Sequence, residues 1–369
     1  MSFPRMRESI VLLLLIGCVC VAAGCGPSLK RVQIPAEEVR AERAHERETA
    51  FSILQERQRR LLDVAYPLLI AATALCKDTA QITYGFELHD KKSYGKKYED
   101  IAARYYRLDD GVVVRYVHPS LPAASAGLQV GDRVVAVNGQ RVEGKKLDEI
   151  RKLIQQPDPI LRLRIERQTQ AMELEVRGVP TCPYRVRISD LGEVNAFANG
   201  DDITVNSGMI RFAATDEDLA LVVGHEIAHN VLRHSLKKLG YLLTGLAVEI
   251  SVLIGRQAVH NETISVLMDI YIYGAPAVFM RLMGRAFSKT FEAEADYAGL
   301  YITARAGYDI THASQFWRRL ATEYPRLIER RFLATHPTTP ERFLALQKAA
   351  QEIQEKRQRG QSLIPEKKD

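Results

Sequence analysis

The chain has 369 residues, 46% hydrophobic and 26% charged, enough for more than one core and too ordinary for wholesale disorder. Its net charge of +6 is not gathered into a long basic block with interleaved aromatics, which argues against a nucleic-acid-binding protein. A mild attraction to anionic lipid is compatible with this balance.

Arg5 and Arg7 precede the short apolar run 10–16, the pattern of a signal peptide and too short for a membrane span. Ala22-Ala23-Gly24-Cys25 resembles a bacterial lipobox, which implies loss of 1–24 and lipidation at Cys25; Leu15-Ile16-Gly17-Cys18 keeps Cys18 open as the alternative. Gly26 in the next position implies, by the same resemblance, an outer-membrane lipoprotein facing the periplasm of a Gram-negative-type bacterium. Residues 25–35 read as a linker with two prolines. Residues 36–80, rich in Ala, Glu, Arg and Leu and carrying only Pro67, read as one or two helices. Their first half is charged and solvated, whereas Leu61–Leu75 is apolar enough to pack on the rest of the chain.

Residues 81–179 change character. Val112–Val114 and Val134–Val137 read as strands, Asn138-Gly139 as a tight turn, and Leu147–Ile154 as a short helix. Leu161–Ile165 and Met172–Val176 alternate with period two. The stretch Pro122–Val134, with its Ala-Gly-Leu and Gly-Asp-Arg-Val steps, resembles the centre of a bacterial protease-associated PDZ domain. That resemblance implies a groove for C-terminal peptides, with Tyr84, Gly85 and Phe86 as the carboxylate loop. It leaves open a PDZ fold that serves only as a spacer or clamp, and the charged stretch 91–107 leaves the groove's shape open. Cys76 precedes this segment and Cys182 follows it. A Cys76–Cys182 bridge across the neck of an inserted module is the expectation in an oxidising compartment, with two separate buried thiols as the alternative.

Tyr184–Ile188 alternates, and Val194–Ala198 with Ile203–Asn206 reads as a hairpin about Asn199-Gly200. Asn195, Ala196, Phe197 and Ala198 are the expected substrate-holding strand, since a strand beside an active-site helix can add an extended peptide. Thr215-Asp216-Glu217-Asp218 reads as a helix start, with Thr215 as N-cap. The helix then carries His225-Glu226-Ile227-Ala228-His229. Positions i and i+4 share a helix face, so His225 and His229 offer two nitrogens to one tetrahedral Zn²⁺, with Glu226 beside its water. Downstream, Glu292 and Asp296 share a face of a second helix while Glu294 points elsewhere. Glu292 is the expected third ligand, and Asp296 the acceptor that fixes a ligand histidine's tautomer.

These motifs resemble the zinc metallopeptidase family that includes HtpX, BepA and the CAAX prenyl protease, in which HExxH is followed by ExxxD on a later helix. The resemblance covers roughly 180–345 and takes in Thr335-His336-Pro337. It implies His336 near the metal, polarising the carbonyl or capping the open zinc position; a plain turn histidine is the alternative. His234, His260 and His312 read as ordinary surface histidines, and Trp317 as core. The apolar segment 239–284 reads as a helical hairpin that lies on a membrane, covers the site, meets another subunit or simply packs in the core. The last helix is expected to fade into a polar tail over 356–369.

The expected fold is α+β: a mainly helical gluzincin peptidase domain (180–355, with 36–80) bearing a small β-hairpin, plus an inserted β-barrel-like PDZ domain. The expected function is one-zinc endoproteolysis of unfolded or misfolded envelope proteins, with the membrane and C-terminal peptides as further partners. An assembly chaperone or PDZ scaffold with gated proteolysis is the alternative. The sequence leaves the oligomeric state open.

Overall fold

The computed structural model describes residues 29, 32–155, 158–238 and 240, the backbone of 275–288, and residues 289–324 and 340–367. Cys25, His260, His336 and most of the 239–284 hairpin lie outside the described residues. The chain divides into a unit up to Ala50 and a unit from Phe51 onward.

Helix α1 spans Ala36–Ala71, with Glu37 and Glu38 in its first turn, where the helix dipole favours acids. Residues 36–50 are exposed throughout, as their composition predicts. From Phe51 the helix belongs to the second unit, and Leu61, Val64, Ala65 and Leu68 are fully buried in the peptidase core. Pro67 does not break it. A proline lacks the N–H that would bond the carbonyl four residues back, here Asp63. That carbonyl instead accepts from His118 Nε2 at 3.3 Å, and His118 Nδ1 accepts from the Ser120 N–H, which fixes the tautomer.

After α1 the chain turns through Cys76, which is disulfide-bonded to Cys182. Strands β1 (Gln81–Thr83) and β8 (Val179–Thr181) pair antiparallel just beyond this bridge and form the neck of the inserted module. The module's sheet runs β2 (Phe86–His89), β3 (Val113–Val117), β4 (Arg133–Val137), β6 (Ile160–Arg167), β7 (Gln170–Arg177), all neighbours antiparallel, with β5 (Gln140–Arg141) hanging on β4. Leu161, Leu163 and Ile165 alternate into its core. Asn138 and Gly139 both take positive φ, as a two-residue hairpin turn demands. The charged stretch after β2 folds as a 3₁₀ turn (Lys91–Tyr94) and helix α2 (Gly95–Tyr105). Its Tyr94, Tyr98, Tyr105 and Tyr106 rings surround Phe51 of α1. Two short helices complete the module, α3 (Pro122–Ser125) and α4 (Leu147–Ile154).

The peptidase resumes with a three-stranded sheet, β10 (Ala196–Ala198), β11 (Asp202–Asn206) and β9 (Arg185–Ser189). β10 and β11 form the expected hairpin, whereas β9 joins β11 in parallel. Among the described residues the helices that follow include α5 (Ser207–Phe212), α6 (Asp216–Val231), α7 (Ala275–Arg305), α8 (Ala313–Glu323) and α9 (Pro340–Gln358), and residues 234–238 are helical as well. α9 runs to Gln358, past the start of the expected tail, and most of the described residues after it are exposed. Lys356 is inside α9, and beyond it Leu363 packs on the main core while Lys356 pairs with Glu366 at 2.9 Å. No described helix is long and apolar enough to cross a membrane.

Candidate metal centre

Thr215 caps α6, its hydroxyl accepting from the Asp218 N–H, while the Asp218 carboxylate accepts from the Ala214 N–H. The helix is buried continuously from Leu219 to Asn230. Its partner is α7, and the two cross at glycines. A Cβ on Gly299 would stand 3.0 Å from the backbone N and Cα of His225, and one on Gly224 would stand 2.5 Å from Thr303 Oγ1. Side chains that small let the helix backbones approach closely. Glu292 and Asp296, two turns and one turn N-terminal to Gly299 respectively, therefore reach the imidazoles of α6.

His225, His229 and Glu292 are all buried, and their ligand atoms lie within 4.8 Å of one another. His225 Nε2 is 3.3 Å from Glu292 Oε2, His229 Nε2 is 3.4 Å from Oε1, and the two Nε2 atoms are 3.1 Å apart. Behind them, His225 Nδ1 lies 3.0 Å from Asp296 Oδ1. Glu226 is buried on the same helix.

Two imidazole nitrogens and a carboxylate converging in a buried triangle are the donor set of a zinc site with an open fourth position. The field agrees. Burial opposes charge on His225, yet its hydrogen bonds to the Asp296 and Glu292 carboxylates pull its pKa up to about 9. Burial also pushes the Asp296 carboxyl upward, but Arg342 and His225 together hold it below the usual carboxylate range. The cluster is a negative well that favours a cation.

Three residues of this centre escaped the sequence reading. Arg342 is buried and grips Asp296 with two bonds, Nε to Oδ2 at 2.6 Å and Nη2 to Oδ1 at 2.7 Å. Its guanidinium also covers the Trp317 ring at 4.3 Å, and that ring stands 5.4 Å from His225, so Trp317 is core that touches the site. Asn230 ties α6 to the hairpin, accepting from the Gly200 N–H at 2.7 Å. His234 is a correction. It is buried, not a surface histidine; its Nδ1 lies 2.9 Å from His229 Nδ1 and its Nε2 lies 3.1 Å from Glu294. Burial is the main influence that lowers its pKa. The only sequence signal was its place five residues after His229, where a helix ending at Val231 can fold the next turn back. His312 is exposed and bonds Gln315.

Of the expected substrate-strand residues, Ala196, Phe197 and Ala198 form β10, an edge strand among the described residues packed against α6, and Asn195 immediately precedes it. Phe197 is exposed, Ala196 is buried, Asn195 accepts from the Asn206 N–H, and the Ala198 carbonyl accepts from Ser235. In the PDZ segment, Gly85 has φ +82, the Tyr84 hydroxyl donates to the Asp158 carbonyl, and Phe86 opens edge strand β2. A cavity of about 1600 Å³ is lined by β2, α4, α1 and β9, including Phe86, Leu88, Arg151, Gln58 and Val186. Arg151 donates to the Leu88 carbonyl at 3.3 Å, and the Tyr66 hydroxyl lies 3.3 Å from the Phe86 backbone carbonyl oxygen and 3.1 Å from Glu87 Oε1.

Comparison with known proteins agrees with this geometry. The family model "Peptidase family M48" matches residues 159–350, and a PDZ domain model matches 113–167. The chain is similar to "Metalloendopeptidase OMA1, mitochondrial" of Bos taurus, 31% identical over 173 residues, which cover 44% of this chain and 32% of that protein. It is similar to "Putative beta-barrel assembly-enhancing protease" of Vibrio cholerae, 28% identical over 195 residues, 50% of this chain and 38% of that one. Among solved structures, the HtrA3 PDZ domain bound to a phage-derived ligand matches 28% of this chain and 88% of its own at 18% identity, with a TM-score of 0.22. The chain spans about a third of the length of the bovine relative it matches. The M48 match takes in just over half of the residues, with the complete His225–His229–Glu292 triangle inside it, and the chain belongs to peptidase family M48.

Proposed function

We propose that this chain is a zinc metalloendopeptidase of a bacterial cell envelope. The observation that carries the reading is the buried His225–His229–Glu292 triangle with Glu226 on the same helix. His225, His229 and Glu292 hold the metal, and Asp296 orients His225 through its Nδ1. Zinc, when bound, supplies a Lewis acid for water and for the scissile carbonyl. Glu226 takes the proton of the attacking water and returns it to the leaving amine. His336 acts on the carbonyl side, a role carried over from the family resemblance. The substrate lies extended along the segment from Asn195 to Ala198, a reading supported by the place of β10 at the edge of the sheet formed by the described residues, beside α6.

The PDZ domain presents a peptide C-terminus through Tyr84, Gly85 and Phe86. The cavity it shares with β9 supports delivery of that chain towards the peptidase. The signal-like N-terminus is the support for lipid anchoring at Cys25 and a periplasmic face, and the likeness to the Vibrio cholerae protein, named a beta-barrel assembly-enhancing protease, supports a role towards envelope proteins, here read as quality control of misfolded ones.

The test compares wild type with Glu226→Gln on an unfolded protein, with zinc content measured for both. The variant is expected to keep its zinc and lose about 10²–10⁴-fold in rate. Equal cleavage by the two would sink the mechanism. Loss of incorporated fatty acid in Cys25→Ser tests the anchor.

A further inference from the structure

Each ligand histidine has a second ring nitrogen, and the two are served differently. His225 Nδ1 faces the Asp296 carboxylate at 3.0 Å. His229 Nδ1 faces another imidazole, His234 Nδ1, at 2.9 Å. His234 Nε2 in turn faces Glu294 Oε2 at 3.1 Å.

A proton count fixes the direction of this chain. Two ring nitrogens 2.9 Å apart share one proton. His229 Nε2 points at Glu292 and His225 Nε2, so a metal there needs its lone pair, and the proton sits on Nδ1. His234 Nδ1 must then accept, and its own proton sits on Nε2, directed at the Glu294 carboxylate. The opposite inventory would protonate His229 Nε2 and block the metal.

The fold is built to hold this contact. α6 ends at Val231, and Arg233 takes φ +56, a conformation that costs a non-glycine residue energy and turns the chain back over the last helical turn. His234 is 1% exposed and stacks on Phe291, with ring centroids 4.5 Å apart and planes at 20°. Phe291 immediately precedes Glu292, so the third ligand and the support of His234 belong to one helical turn. Glu294 is 45% exposed, with Lys237 Nζ at 4.0 Å.

We propose that His234 is a positioning residue that holds His229 in its Nε2-ligating tautomer, and that Glu294, pointing away from the metal, fixes the tautomer of His234 from the surface. The proposal rests on the reading of His225, His229 and Glu292 as zinc ligands. It makes the ligand histidines inequivalent, one backed by a carboxylate and the other by a neutral ring.

The experiment measures zinc affinity of the full chain by competition with a chromophoric chelator, for wild type, His234→Phe and His234→Asn. Phenylalanine keeps the stacking and removes the acceptor; asparagine can offer an oxygen where Nδ1 stood. His234→Phe is expected to bind zinc about 10–100-fold more weakly, and His234→Asn to recover most of that loss. Ring-nitrogen NMR on zinc-loaded wild type is expected to report Nδ1–H for His229 and Nε2–H for His234. An Nδ1–H tautomer at His234 overturns the proposal, and so does a folded His234→Phe that binds zinc as tightly as wild type. If that variant does not fold, the tautomers of the wild type decide alone. Wild type that binds no zinc overturns the ligand assignment itself, a result distinct from equal binding by wild type and variant.

Discussion

The metal centre and the seam between α1 and the PDZ segment are both buried and polar, yet they solve burial in opposite ways. At the centre the buried groups face opposite charges: Arg342 and His225 hold the Asp296 carboxyl below the usual range, Asp296 and Glu292 raise His225, and Arg342 also lies 3.9 Å from Glu292. At the seam a histidine and several tyrosines are held neutral. Burial lowers His89 to about 3, with Arg115 adding to the effect, and burial raises Tyr66, Tyr94 and Tyr116. A network that must receive a cation holds charge ready; a network that only joins two domains sheds it. The two should therefore fail differently, the centre by stranding a charge and the seam by losing ordinary hydrogen bonds.

The largest effect is expected from Arg342→Met. It leaves Asp296 and Glu292 buried without their cation, a loss of about 3–5 kcal/mol in metal-free protein. The loss should be smaller in zinc-loaded protein, because the metal compensates both carboxylates. Urea unfolding of both forms checks this. An equal loss with and without zinc would mean that Arg342 serves packing against Trp317 rather than charge. Arg342→Lys should not rescue, since a lysine cannot reproduce the two-pronged grip on Asp296.

Gly299→Ala comes next. Its Cβ would stand 3.0 Å from the His225 backbone, so α6 and α7 must separate by a few tenths of an ångström. Overpacking of this kind costs about 1–3 kcal/mol. Here the shift also moves Glu292 from the histidines, so zinc affinity should fall with stability. Stability lost with affinity unchanged would show that the glycine crossing does not set the ligand geometry.

How much of this could be read beforehand follows the range of the interactions. His225, Glu226 and His229 fall within five residues, and Glu292 and Asp296 share one helical face, so local periodicity exposes all five. The Thr215 cap and the Asn138-Gly139 turn are likewise local. Arg342 joins the site across 46 residues, with a stretch outside the described residues between, and nothing in Pro340-Glu341-Arg342 marks it as buried. His234 was misread because the positive φ of Arg233, which carries it back, has no composition signal. The neutral seam was invisible for the same reason: tyrosines in a charged stretch resemble a solvated face until Phe51 of α1 packs among them.

The seam predicts a pH dependence. His89 is held neutral in the fold, its Nδ1 accepting from the Tyr94 hydroxyl, with a pKa near 3 against 6.5 when unfolded. Between those values the unfolded chain binds the extra proton. His89 therefore contributes its full stability above pH 6.5 and loses it as pH falls towards 3, at up to about 1.4 kcal/mol per pH unit. The stability difference between wild type and His89→Asn should shrink from pH 7 to pH 5. A constant difference would mean that His89 titrates normally and that the seam admits water.

The smallest effect tests the seam's ordinary bonds. The Tyr116 hydroxyl donates to Asp63 Oδ1 at 2.7 Å, and its ring stacks on Tyr66, with centroids 5.9 Å apart and planes at 11°. Phenylalanine at 116 keeps the stacking and removes one donor. Asp63 lies on α1 and is not fully buried, so water can replace the hydroxyl, and the cost should be about 1 kcal/mol. Chemical denaturation measures it. A loss of 3 kcal/mol or more would place Asp63 among stranded charges, as at the metal centre, and would erase the distinction between the two networks. A loss near 1 kcal/mol, beside several for Arg342→Met, would mean that the inserted domain is held by many weak neutral bonds while the metal centre depends on a few charged ones.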